Sequence, residues 1–136
     1  MLFRSGHPLA KAGTIRAETL VDFPLLLPKS GTTRSRLNTW MYAVEDQIHV
    51  SMELDSTEMI KRFVMAGLGV SFLSASNCKE EAASGKLVPI SMGPDPMTRR
   101  LALIYRKDKA LSKAALGFIQ VIMDSAGSSF GPAVAY

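Results

Sequence analysis

The chain has 136 residues, 47% of them hydrophobic and 21% charged, a balance that excludes a disordered segment and fits one globular domain or a part of one. Its formal charge of +4 comes from sixteen Lys and Arg scattered against twelve Asp and Glu; only residues 99–113 are locally basic, so nothing marks a nucleic-acid surface. A single cysteine, Cys78, excludes an internal disulfide and a cysteine-rich metal site, and no apolar run approaches the ~20 residues needed to span a bilayer. The opening M-L-F-R-S-G-H-P lacks a basic-then-apolar export signal, so the expected compartment is the cytoplasm.

Residues 1–3 read as a strand already under way, followed by turn material at His7, Pro8 and Gly13. Residues 14–20 suit a short helix capped by Thr14, with Ile15 and Leu20 packed inward. Residues 23–27 form a short continuous apolar run, as expected of a strand covered on both faces, with Pro24 confined to its beginning. After a loop at residues 28–33, Leu37, Trp40, Met41 and Val44 recur at helical spacing. Residues 49–54 then alternate: Val50, Met52 and Leu54 point one way, His49, Ser51 and Glu53 the other.

Asp55 is the expected N-cap of the next helix, with Glu58 completing a capping box. Met59, Ile60, Phe63 and Val64 supply its apolar stripe, Gly67 its left-handed cap, and Gly69 a second bend before a strand at residues 70–73. Strand and helix thus alternate twice, which predicts an α/β fold with parallel pairing. Asn77 to Gly85 marks a short helix with Asn77 as its cap. Residues 87–92 suit an edge strand because of Pro89, and residues 101–105 a further strand. Ser112 caps a last helix striped by Ala115, Phe118, Ile119, Ile122 and Met123, and residues 127–136 form a weakly patterned tail.

In a parallel sheet the two loops that lead from strand to helix lie at the carboxyl edge, where ligands bind at a switch in strand order. Backbone N–H groups and the hydroxyls of Ser30, Thr32 and Thr33 would suit a small carboxylate, sulfate or phosphate, with Lys29 or Arg34 nearby. Plain capping by Ser and Thr explains the same residues without a ligand. His7 and His49 lack partners at metal spacing, and Glu53 with Asp55, the notable carboxylate pair, is better read as a strand residue facing water and a cap. Gly67-Leu68-Gly69 lacks the third glycine of a dinucleotide turn and sits between helix and strand, the reverse of the required order. No nucleophile elbow and no phosphate-binding P-loop motif is present.

Several segments taken in order resemble the effector-binding domain of LysR-type transcriptional regulators. They are H-P-L-A at residues 7–10, the 23–27 run with its Ser/Gly/Thr/Arg loop, and E-L-D-S-T-E-M-I-K-R-F-V-M-A-G-L-G-V-S-F-L-S. The endings A-A-S-G-K-L-V-P-I and R-R-L-A-L-I-Y-R-K-D-K-A-L-S-K-A-A-L-G-F-I-Q-V-I complete the likeness, which covers residues 1–123. The resemblance implies two α/β subdomains, similar to type 2 periplasmic binding proteins, with a small-molecule effector between them. On that pattern residues 1–98 are the second subdomain. Residues 99–126 are the return crossover strand and C-terminal helix of the missing first subdomain, and residues 127–136 a tail.

The ligand-binding positions it implies are Pro28, Lys29, Ser30 and Gly31 after one strand and the segment near residues 54–57 after the other. Joined with Thr32 from the loop's hydroxyls, the candidate site is Pro28, Lys29, Ser30, Gly31, Thr32, Asp55, Ser56 and Thr57. It also implies an effector, probed without catalysis and without a cofactor or metal, and DNA contact only through an absent N-terminal helix-turn-helix. A homo-oligomer and no membrane contact are expected, with residues 33–44 as this half's contribution to pairing. The chain is expected to be a truncated piece with half a cleft, its last helix left with an uncovered apolar stripe. The rival readings are a solute-binding module of a transporter, which shares the fold, and a fragment of an α/β enzyme.

Overall fold

The computed structural model describes residues 1–94, 97, 98, 102–106, 108 and 110–126. The chain divides into two compact units, Met1–Met97 and Thr98–Tyr136. The first holds a five-stranded sheet built from β1 (Leu2–Arg4), β3 (Leu25–Pro28), β4 (Val50–Leu54), β5 (Val70–Ser71) and β6 (Leu87–Pro89), in the order β4-β3-β5-β1-β6. β4, β3 and β5 run parallel, whereas β1 lies antiparallel to both β5 and β6. Four of the five strands therefore share one direction, and the sheet is mostly parallel as expected. A separate two-stranded parallel ribbon joins β2 (Thr14–Ile15) to β7 (Ser91–Met92).

Side-chain alternation along β3 divides the core in two. Leu25 and Leu27, both fully buried, face α1 (Thr32–Met41) through Leu37 and Met41. Leu26, between them, points to the other face and meets Ile60 and Val64 of α2 (Thr57–Met65). A strand with apolar residues at every position thus has helices on both sides. The faces follow from chain direction. The crossover from β3 to β4 moves outward, and the next returns over β3 to reach β5. Right-handed connections made in opposite directions place α1 and α2 on opposite faces.

Several local expectations hold for identifiable reasons. Gly67, at φ +79, ends α2 in a left-handed cap: its N–H donates to the Val64 carbonyl at 3.0 Å and that of Leu68 to Phe63 at 3.1 Å. Gly69 is required by close approach rather than by a bend, since a Cβ there would run into the Pro24 carbonyl oxygen and come within 3.2 Å of Leu26 Cγ. Trp40 belongs to the core, edge-on to Phe72 with ring centroids 5.8 Å apart, and its Nε1 donates to the Gly93 carbonyl at 2.9 Å.

Others are corrected. Residues 14–20 are not one helix: Thr14–Ile15 pair with β7, and only Ala17–Leu20 make a 3-10 turn. Ser56, not Asp55, caps α2, accepting the Met59 N–H on its Oγ at 3.4 Å while Asp55 stays exposed. That frame puts Glu58 one position short of a capping box, and it pairs instead with Lys61 at 2.6 Å. Asn77 lies inside a 3-10 turn, Ala75–Cys78, and caps nothing; α3 (Lys79–Ala83) follows, its end closed by Gly85 at φ +68. Residues 87–92 divide between two sheets at Ile90, whose N–H donates to the Met1 carbonyl at 3.0 Å.

Within the second unit, α4 (Lys113–Ala126) is capped by Ser112 as expected, the hydroxyl accepting the Ala115 N–H at 3.2 Å. Leu116, Phe118 and Val121 are exposed on it. For the strand expected at residues 101–105, Leu101 lies outside the described residues and residues 102–106 join no ladder among those described, so no backbone pairing holds them as a strand. The tail at residues 127–136 lies outside the described residues.

Candidate functional site

β3 and β4 are adjacent and parallel, with Pro28 opposite Leu54, so both chains leave the sheet at one rim. The Lys29 N–H donates to the Leu54 carbonyl at 3.2 Å and ties the two exits together. From there one segment turns to α1 on one face and the other to α2 on the opposite face. Neighbouring loops that diverge to opposite faces mark the switch point, outside the carboxyl ends of the strands, at which open α/β sheets take ligands.

The structure brings together at this rim the residues singled out from the sequence. Pro28 ends β3; Lys29, Ser30 and Thr32 are exposed, and Gly31 takes φ +95 at the start of α1. Asp55 is exposed, while Ser56 and Thr57 are half-buried where α2 begins. The two helix starts differ. Ser56 spends its hydroxyl on the α2 cap, whereas no side chain caps α1. Plain capping therefore accounts for Ser56 but leaves the hydroxyls of Ser30 and Thr32 without that task. Lys29 enters no ion pair among the described residues, which leaves one exposed cation beside the uncapped helix start.

Arg34, expected beside an anion, is committed elsewhere. Its Nη1 lies 2.6 Å from the Glu53 carboxylate and donates to the Pro28 carbonyl at 3.0 Å, and its Nε donates to Asn38 Oδ1 at 2.9 Å. It braces the ends of β3 and β4 against the first turn of α1. Spacing could not have revealed the pair, because the two residues meet only after β4 is laid beside β3; Glu53, read as facing water, is half of this brace.

Other titratable groups serve the scaffold. Lys61 is held between Glu58 at 2.6 Å and Glu81 at 2.7 Å, linking α2 to α3; these carboxylates push its pKa up, and Lys61 in turn holds the Glu81 carboxyl below its ordinary range. Burial raises the pKa of the Cys78 thiol, which faces the carbonyls of Ser74 and Ala75. Among the described residues no three His, Cys, Asp or Glu side chains gather to hold a metal, and no helix is long and apolar enough to cross a membrane.

An open, mostly parallel sheet with helices on both faces and a switch point at its carboxyl rim places the chain among the open-sheet α/β folds. The profile of the LysR substrate binding domain matches residues 1–127, and the chain belongs to that family. It is 34% identical over 117 residues to the HTH-type transcriptional activator CmpR of Synechocystis sp. (strain ATCC 27184 / PCC 6803 / Kazusa), covering 85% of this chain and 38% of that protein. With the HTH-type transcriptional regulator CbbR of Sinorhizobium medicae it shares 31% identity over 132 residues, 96% of this chain and 42% of the relative. The chain thus spans about two-fifths of the length of these curated relatives. Among solved structures, the regulatory domain of CcmR from Synechocystis PCC6803, in complex with 2-PG, superposes with a TM-score of 0.75 at 26% identity, over 93% of this chain and 62% of that one.

Proposed function

We propose that this chain is the effector-sensing part of a LysR-type transcriptional regulator, which binds a small anionic metabolite at the β3–β4 rim and performs no catalysis. The observation that carries the reading is that β3 and β4 end side by side while α1 and α2 leave to opposite faces, with an uncapped helix start and the exposed Lys29 beside it. Pro28, Lys29, Ser30, Gly31 and Thr32 are the contacts proposed from one loop, and Asp55, Ser56 and Thr57 those from the other. Here backbone N–H groups and hydroxyls meet the anion, and Lys29 adds charge. Asp55 sets the limit on charge: a polyanion carrying its charge toward α2 is repelled.

In the complete regulator a second subdomain closes the cleft, and the ligand favours the closed arrangement by its difference in affinity for the two states. DNA contact belongs to a helix-turn-helix outside this chain, the working assembly is a homo-oligomer, and the compartment is cytoplasm. The names of CmpR and CbbR support a regulator, and the CcmR complex with 2-PG supports a small-molecule effector.

A thermal-shift series with 2-PG, inorganic phosphate and sulfate tests this. At ten times its Kd a rim ligand adds about 1.4 kcal/mol to stability. Ser30→Ala and Thr57→Ala, each losing a hydrogen bond to a charged group worth about 1.5–3 kcal/mol, weaken binding by roughly tenfold or more. An equal response in wild type and both variants contradicts the site.

A further inference from the structure

Phe23 and Pro24 precede β3, Gly67 and Gly69 lead into β5, and Arg4 closes the reversed β1, so these segments converge on the amino rim of the parallel strands, opposite Pro28 and Leu54. Between them lies a cavity of about 230 Å³, also lined by His7. We propose that this cavity is a second ligand site, selective for a small monocarboxylate with an apolar body and separate from the anion site at the carboxyl rim.

The selectivity follows from the polar side chains that line it, all donors. Arg4 enters no ion pair among the described residues, and its side chain lies across Gly67, where an added Cβ would sit 3.2 Å from Nε. The absence of a side chain at Gly67 therefore leaves the guanidinium room at the mouth of the cavity. His7 accepts the Leu9 N–H on Nδ1 at 3.2 Å, so its own hydrogen resides on Nε2. Burial, followed by the Arg4 charge, lowers the His7 pKa, which favours this neutral form.

One guanidinium offers a fork that matches one carboxylate. Among the described residues no carboxylate lines the cavity to compete for it. The remaining walls suit a small apolar body: the Phe23 ring, inclined at 56° to His7 with centroids 4.9 Å apart, Pro24, and the backbone at Gly67 and Gly69. The volume is below the ~300–1,000 Å³ of pockets that take drug-sized ligands, which restricts the occupant to a smaller molecule.

The test titrates the full isotope-labelled chain with sodium benzoate and, separately, with its neutral isostere benzamide, following backbone amide shifts. Expected are saturable shifts at Arg4, Gly67, Gly69 and Val70 with benzoate, little change with benzamide, and at least a tenfold weaker response in Arg4→Gln. Equal shifts with benzamide overturn the proposal, as does an Arg4→Gln chain with a native spectrum and undiminished benzoate binding. Benzoate shifts confined to residues 29–33 and 55–58 also overturn it, while leaving the carboxyl-rim reading intact. The comparison of the two probes on the wild-type chain stands even if the variant fails to fold.

Discussion

Replacing Arg34 by Ala separates a brace from a ligand contact. The change removes an ion pair whose Glu53 side is 46% exposed, worth about 0.2–1 kcal/mol after solvent screening. It also removes a charged donor from the Pro28 carbonyl, worth about 1.5 kcal/mol at the lower end of the range for such bonds. Together the loss is about 2 kcal/mol in the absence of any ligand. For a unit of the size of Met1–Met97 that corresponds to a fall in Tm of roughly 8–16 °C.

The assay is thermal unfolding followed by circular dichroism for wild type, Arg34→Ala, Glu53→Ala and the double variant. A coupling of about 0.5 kcal/mol between the two positions is expected, diminishing at about 1 M salt. A Tm for Arg34→Ala within about 2 °C of wild type, together with a lost anion response, would show that Arg34 is a ligand contact and refute the brace.

Two further changes probe the scaffold. Gly69→Ala drives a methyl into the Pro24 carbonyl, which accepts the Val70 N–H at 3.0 Å; overpacking of about 1–3 kcal/mol is expected, read as a drop in the denaturant midpoint, and an unchanged midpoint contradicts the close approach. His7 titrates below its ordinary 6.5 because of burial and Arg4, so the unfolded chain takes up its proton first on acidification. Its contribution to stability is complete above pH 6.5 and is lost as pH falls through the lower folded value; His7→Asn should flatten that part of the Tm–pH curve, and an identical slope in the variant speaks against the assignment.

The parallel α/β core was legible because its signals are local and periodic. The apolar run that became β3, the stripe of Ile60 and Val64, and the glycine caps at Gly67 and Gly85 each carry their reason within a few residues. The failures arose where several local solutions compete. Asp55 and Ser56 are both good caps, and the helix frame chose between them; Thr14 could begin a helix until β7 offered its backbone a partner. Pairings over long separation were not legible at all: Arg34 with Glu53, and Lys61 with Glu81, depend on which elements become neighbours. The candidate rim was found because its position follows from strand direction alone. That no side chain caps α1 was not legible, because it depends on the residue at which the helix frame begins.

The most direct measurement is a backbone amide map of the labelled chain titrated with 2-PG. The expected result is saturable shifts concentrated at residues 29–33 and 55–58, on the two loops that leave β3 and β4 side by side. Saturable shifts that spare residues 29–33 would place the ligand elsewhere and contradict an effector site at the carboxyl rim.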